Sequence, residues 1–276
     1  MTDDYFISSR IFGGLRKFVI FYHSATNNVD PRTSKWFLIS NIWSLPLILF
    51  CYVILVLFGQ KFMTSRRKLE IRGALIVYNM LLVALSLSML CEFVQALLNI
   101  PSFNYFCQGV ENEDREDLVR LARVNWLFFL SKIVEFLDTV FLILRKKSVS
   151  FLHAYHHTSA CFLWWVVVKW QPGGTSYFGA MLNCLVHVVM YFYYLISALG
   201  PQYRKYLWWK KYLTTIQLLQ FSMVFIYLVN AMFVKGCSYP RWLLWVFIGY
   251  DITLFLLFMN FCVKEYLLKS MKGKRQ

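Results

Sequence analysis

Two short stretches place ionisable side chains inside otherwise apolar sequence. The first reads Ser131-Lys-Ile-Val-Glu-Phe-Leu-Asp-Thr139, so Lys132, Glu135, Asp138 and Thr139 recur at three- and four-residue steps. At about 100° per residue they fall within an arc of about 120° on one helix face. The second reads His153-Ala-Tyr-His156-His157, with spacing that brings His153 near both later imidazoles. A fourth imidazole follows in Asn183-Cys-Leu-Val-His187, where Asn183, His187, Tyr191 and Tyr194 share a stripe and Tyr193 points elsewhere. Thr214, Gln217 and Gln220 then line up on a later segment.

Clustered imidazoles serve either a metal or nucleophilic and acid–base chemistry. Four imidazoles, even helped by Glu135 and Asp138, make a poor shell for two irons, although three of them could hold one zinc. Neutral imidazole also attacks thioesters, giving an acyl-imidazole that splits one hard transfer into two easier ones. Such a site needs a second base or hydrogen-bond donor, an orienting carboxylate and a water-poor cavity. These residues supply each of those types. No GxSxG, P-loop or dinucleotide fingerprint competes.

The elements that position these groups follow from composition. Of 276 residues 59% are hydrophobic and only 16% charged, too apolar for one soluble core to hide. Disorder, a collagen-like fibre and a soluble α/β enzyme are thereby excluded. The apolar residues form seven blocks, each long enough to cross a hydrocarbon core of about 30 Å: residues 36–58, 73–98, 118–144, 150–170, 176–199, 212–234 and 242–263. The chain therefore reads as an all-α membrane protein with seven transmembrane helices and a single domain over 1–276. In that setting a soluble helix's Lys132–Glu135 ion pair is not explanation enough. Three charged residues on one buried stripe need a polar cavity to face.

Charge sets the orientation. Basic groups follow spans 1, 3, 5 and 7: Lys61 to Arg72, then Arg145, Lys146 and Lys147, then Arg204, Lys205, Lys210 and Lys211, then the tail. With an odd number of spans they share one side, which places the C-terminus in the cytosol and the N-terminus in the lumen. The N-terminal group Arg10, Arg16, Lys17, Arg32 and Lys35 pulls mildly the other way, and the run Phe18–Tyr22 is too short to span. The 29 Lys and Arg against 14 Asp and Glu reflect this loop bias, with no nucleic-acid module among them. Cys107 and Cys237 are the two cysteines in polar loops, both on the lumenal, oxidising side. Either a disulfide or two free thiols fits. The ending Lys272-Gly-Lys-Arg-Gln276 is similar to a dilysine retrieval signal of the endoplasmic reticulum.

Taken together, Lys132-x-x-Glu135-x-x-Asp138-Thr139, His153-x-x-His156-His157, Asn183-x-x-x-His187-x-x-Met190-Tyr191-x-Tyr193-Tyr194 and Thr214-x-x-Gln217-x-x-Gln220 resemble the four signature boxes of the ELO-type very-long-chain fatty acid elongases. The resemblance implies a 3-oxoacyl-CoA synthase of the endoplasmic reticulum membrane, an acyltransferase condensing acyl-CoA with malonyl-CoA and releasing CO2 and CoA. It implies seven helices, six of them forming a barrel around an acyl-chain tunnel, and a lumenal Cys107–Cys237 disulfide. No cofactor is implied beyond the CoA thioester substrates.

Within that resemblance His156 is the expected acyl carrier, with His187 beside it and His153 and His157 completing the cluster. Lys132, Asn183 or His187 would stabilise negative charge, while Glu135 and Asp138 orient the imidazoles. Tyr191, Tyr194, Gln217 and Gln220 would line the substrate site. Arg145, Lys146, Lys147, Arg204, Lys205, Lys210 and Lys211 would hold the CoA phosphates. Expected partners are acyl-CoA, malonyl-CoA and membrane lipid. The reductases and dehydratase of the elongation cycle and a second copy of the chain are further candidates. A metal-dependent membrane lipid desaturase or hydroxylase is the rival reading. A transporter or receptor comes third, because the ionisable groups crowd toward one end and not the bilayer midplane. At Ser148 the chain departs from the Gln found in several elongases, so subfamily is not fixed.

Overall fold

The structure is a computed structural model that describes residues 29–268. Among these residues every regular element is helical: α1 Ser44–Met63, α2 Arg72–Asn99, α3 Glu116–Val134, α4 Phe136–Leu144, α5 Phe151–Trp170, α6 Tyr177–Ala198, α7 Lys210–Phe233 and α8 Arg241–Cys262. A π-helical extension continues α8 through Val263–Leu268. Five of these helices are long and apolar enough to cross a membrane: α1, α2, α6, α7 and α8. The chain is thus a multi-pass membrane protein. The N-terminal basic group up to Lys17, the run Phe18–Tyr22, His23 and the Lys272–Gln276 ending lie outside the described residues.

Two expected spans differ in form. The block 36–58 becomes helical only at Ser44, because Leu38 adopts a left-handed backbone (φ 63°) and Asn41 Oδ1 accepts the Trp43 amide at 2.9 Å, turning the chain. The block 118–144 is two helices, broken at Glu135. Helix α3 does not qualify as a span because Glu116, Asp117, Arg120, Arg123 and Lys132 sit within it, and α4, with nine residues, is too short; α5 fails because of its three histidines and Lys169.

The helices that carry polar groups are the ones surrounded by protein. Nine of 19 residues are buried in α3 and nine of 20 in α5, against three of 20 in α1. Lipid can therefore be left to α1 and its like, while α3 and α5 hide their charges within the bundle. Neighbours run in a consistent order: α2 against α3 and α6, α6 against α7, α7 against α8, α8 against α5, and α5 against α3. Helix α1 lies outside this sequence, on α4 and α5. The segment before α1 crosses α3 and α5, where three consecutive carbonyls are held by side chains. Trp126 Nε1 donates to Phe37 O (3.1 Å), Trp165 Nε1 to Leu38 O (3.0 Å) and buried Lys169 Nζ to Ile39 O (2.8 Å).

The connections sort into two ends. At one end Leu69 N donates to Leu144 O, Lys146 Nζ to Thr64 O, and Lys210 meets Glu265. This is the basic end. At the other, Asp30 N donates to Lys169 O, Thr175 N to Gln108 O, and Cys107 is disulfide-bonded to Cys237 with Cα atoms 5.7 Å apart. Gly174 (φ +56°) lies so close to Gln108 O that a Cβ would stand 2.6 Å from it, so only glycine fits this knot. The described chain starts at the cystine end and finishes at the basic end.

Candidate active site

Helix α3 ends at Val134 and α4 begins at Phe136, with Glu135 alone in the break (ψ −15°). The Glu135 amide still donates to Ser131 O at 2.8 Å, so the chain swings without losing the hydrogen bond. Around this break lies a compact polar unit. Lys132 Nζ donates to Glu135 Oε1 (2.7 Å) and to Asn183 Oδ1 (3.0 Å), and stands 3.5 Å from His187 Nδ1. His187 Nδ1 lies 3.4 Å from the same Glu135 oxygen, and Ser131 Oγ points at it from 3.4 Å. Lys132, Glu135 and His187 are buried, and the ammonium sits 4.3 Å over the Phe128 ring. Glu135 Oε2 has no hydrogen-bond partner among the described residues. A buried ion pair of this kind is costly to build, and its retention here orders one face of a neighbouring imidazole.

The histidine cluster opens α5. Ser150 caps the helix, its Oγ accepting the His153 amide at 3.2 Å, which fixes the first turn and so the direction of the rings. His153 Nε2 and Thr139 Oγ1 are 2.8 Å apart, and Tyr52 OH reaches the same hydroxyl at 2.9 Å, tying α5 through α4 to α1. His157 lies 4.3 Å from His153 and 5.4 Å from His156, ring centre to ring centre. Neither His156 nor His157 has a ring hydrogen bond to a described residue, and of these two only His156 keeps accessible surface. The His156 ring meets His157 and, at 6.4 Å, Phe258. It stands within electrostatic reach of Lys132, Glu135, His187 and His153. It also keeps some accessible surface, whereas His157 and His187 are buried. Among the described residues no three His, Cys, Asp or Glu side chains converge as metal ligands.

Asp138 departs from the expected role of orienting an imidazole. Its Oδ2 instead accepts Tyr191 OH of α6 at 2.8 Å, with Tyr78 of α2 packed edge-on to Tyr191. Glu135 is the carboxylate that reaches a histidine. Tyr194 lies beside Tyr191 (6.0 Å) with much of its surface accessible. Gln217 Nε2 reaches Met190 Sδ at 3.6 Å, and Gln220 is buried with no side-chain hydrogen bond among the described residues.

The basic residues gather at the same end as the histidines. Lys147 is pushed below the ordinary lysine range, first by partial burial and then by the charges of Arg145, Lys68 and Lys210. Lys205 sits 5.0 Å over Tyr206, and Lys211 4.9 Å over Tyr212. Arg204 belongs to the turn Pro201–Tyr206, and its side chain lies outside the described residues.

This geometry meets the comparisons with known proteins. The ELO (GNS1/SUR4) family matches residues 37–274. The chain is 41% identical to human very long chain fatty acid elongase 4 over 250 residues, covering 90% of this chain and 79% of that protein. It is 42% identical to human elongase 5 over 239 residues (86% and 79%), and 39% to rat elongase 7 over 261 residues (93% and 91%). The chain belongs to the ELO family. Several groups that complete this ELO protein's polar layer carried no sequence signal. Tyr52 and Tyr78 sit in blocks that read as plain membrane spans, and Phe258 reads as one more apolar residue. Lys68 looks like a topology charge, and only folding brings it to Lys147.

Proposed function

We propose that the protein is a very-long-chain 3-oxoacyl-CoA synthase that joins a long-chain acyl group to two carbons from malonyl-CoA. The observation that carries this reading is that His156, an imidazole with accessible surface and no ring hydrogen bond to a described residue, lies within electrostatic reach of the Lys132–Glu135–Asn183–His187 unit at the basic end. The names of its ELO relatives, fatty acid elongases, support the reaction class. The neighbour order of α2, α3 with α4, α5, α8, α7 and α6 supports a six-membered helical ring, with α1 outside as the seventh crossing. Tyr194 and His156 both keep accessible surface beside the polar layer, which supports their lining the path of the acyl chain, an acyl tunnel inside the ring.

The steps follow from the layer. The acyl chain enters the ring and its thioester stops at His156. An imidazole nitrogen attacks the carbonyl carbon, the carbon–sulfur bond breaks, and CoA leaves as a thiol carrying the imidazole's proton. CoA's phosphates are held by Arg145, Lys146, Lys147, Lys205, Lys210 and Lys211, with Lys68 beside them and Arg204 on the same turn as Lys205. Malonyl-CoA then binds at the same mouth and loses CO2, leaving the electron pair of the broken bond as an enolate. Lys132, Asn183 and His187 stabilise that negative charge. The enolate carbon bonds to the acyl carbon, His156 leaves and takes a proton from solvent, and 3-oxoacyl-CoA departs.

Cystine at one end and basic loops at the other support a lumenal N-terminus, a cytosolic C-terminus and residence in the endoplasmic reticulum. The deciding experiment gives purified full-length protein radiolabelled malonyl-CoA with a panel of acyl-CoAs. Labelled 3-oxoacyl-CoA is expected, and no labelled product with any acyl-CoA would overturn the assignment. With labelled acyl-CoA alone, denatured protein should carry the label on His156. A His156→Ala variant that condenses at the wild-type rate would remove the nucleophile from this reading.

A further inference from the structure

Helix α8 buries one carboxylate that the reaction above does not use. Leu244, Phe247, Asp251 and Leu254 form its buried stripe, continued by half-buried Phe258, while Trp245, Ile252, Leu256 and Met259 are exposed on the other face. The stripe is pinned at two heights against α5: Phe247 lies 6.3 Å from Trp164, and Phe258 lies 6.4 Å from His156. Phe258 also packs on Phe221 of α7 at 5.1 Å. Asp251 therefore sits between α5 and α7, deeper than His156, and is only 5% exposed. Its two buried fellows are both paired: Asp30 with Arg32 at 2.7 Å and Glu135 with Lys132 at 2.7 Å. Asp251 has no hydrogen bond or ion pair among the described residues. Yet its oxygens are not among the fully enclosed unpartnered atoms, so they border open space.

A carboxylate left unpaired in an apolar stripe is costly unless something hydrogen-bonds to it. We propose that Asp251 is a binding residue for a hydroxyl group carried on the acyl chain, which makes hydroxylated fatty acyl-CoAs a favoured substrate class. The inference rests on the acyl tunnel of the reading above. From Phe258, which marks the level of His156, to Asp251 is seven residues, a rise of about 10 Å, or roughly eight extended carbons of an acyl chain. A hydroxyl near carbon 9 would thus reach Asp251 while the thioester rests on His156. A plain chain leaves the carboxylate unsatisfied.

The test uses full-length wild-type protein, Asp251→Asn and Asp251→Leu. Each is offered CoA thioethers, which cannot transfer their chain, built on an 18-carbon chain that is plain, hydroxylated at about carbon 9, or hydroxylated at its far end. Wild type should bind the mid-chain hydroxyl about 10- to 100-fold more tightly than the plain chain. Asp251→Asn, which keeps an acceptor, should retain most of that preference, and Asp251→Leu should lose it. The far-end hydroxyl should gain nothing. Equal binding of the plain and mid-chain compounds by wild type, or an undiminished preference in Asp251→Leu, overturns the proposal. Condensation of the matching thioesters with malonyl-CoA is measured in parallel. Absence of condensation with the binding preference intact sinks the synthase reading and leaves the Asp251 site standing.

Discussion

Replacing Lys132 by methionine removes a charge while keeping most of the side-chain volume. In the folded protein this ammonium is 2.7 Å from Glu135, and both residues are almost fully enclosed, at 3% and 2% exposure. Without it Glu135 keeps, among the described residues, only Ser131 Oγ and His187 Nδ1, each at 3.4 Å, and its second oxygen has no partner there already. Breaking a buried pair from one side costs about 3–5 kcal/mol, because the surviving charge stays enclosed. At about 2–4 °C per kcal/mol for a chain of this size, Lys132→Met should melt about 6–20 °C below wild type. Adding Glu135→Gln removes the stranded charge, so the double variant should recover most of that loss. Thermal unfolding of the four proteins in one detergent reads the coupling. Condensation should stay low in the double variant, since His187 has then lost both neighbours, which separates stability from chemistry. Single-variant losses that simply add, within about 0.5 kcal/mol, would refute the claim that the two groups act as one unit.

Other outcomes follow from the two ends of the bundle. The cystine closes a 130-residue separation, so Cys107→Ser, Cys237→Ser and the double variant should each lose the same amount, about 2–5 kcal/mol, and reduced wild type should melt with them. At the basic end, a bound polyphosphate should raise Lys147 from its lowered value, so binding takes up a proton between the free and bound pKa. CoA affinity should then fall as pH rises through the lowered Lys147 pKa toward the ordinary lysine range, and Lys147→Arg should flatten that fall in a titration of CoA binding. Lys146 holds a left-handed backbone (φ 54°) that closes α4, with Lys147 N on Leu142 O at 2.8 Å. Lys146→Gly should therefore raise stability by about 1 kcal/mol on a thermal melt, its exposed bond to Thr64 O contributing little.

The polar layer was legible where spacing carries direction. Lys132 and Glu135 share a helix face, and the Asn183–His187 step puts amide and imidazole on one stripe, so their meeting at 3.0–3.5 Å needs only that α3 face α6. What spacing could not give is the break at Glu135. The partner of Asp138, Tyr191 OH of α6, is likewise a matter of tertiary packing. Nor could spacing separate His156 from His157, adjacent in sequence and alike in chemistry. The difference lies in surroundings: His157 is wedged between two rings of its own cluster, while His156 faces Phe258 from a helix about a hundred residues away. Asp251 stood alone in an apolar block with no partner at helical spacing, so nothing local marked it as more than an isolated charge.

The distribution of polarity has a consequence for how the chain must assemble. Helix α3 holds Lys132, with Glu135 just past its end, and α5 holds His153, His156 and His157; neither is apolar enough to sit stably in lipid alone. Both become acceptable once Trp126, Trp165 and Lys169 grip the Phe37–Ile39 carbonyls and α1 covers α4 and α5. The segment ahead of α1 is thus a clamp that keeps the two chemically equipped helices inside the bundle, and it acts from the end opposite the histidines. Weakening it by Lys169→Met leaves the polar layer untouched in composition, yet it should loosen α5 along its length and let water reach the imidazoles. Such a variant should lose hydrogen-exchange protection in α5 before it loses it in α7 or α8, because α7 and α8 pack chiefly on each other while the clamp's carbonyls are held from α3 and α5. Protection lost uniformly across α5, α7 and α8 would mean that the bundle opens as one unit and that the clamp has no separate role.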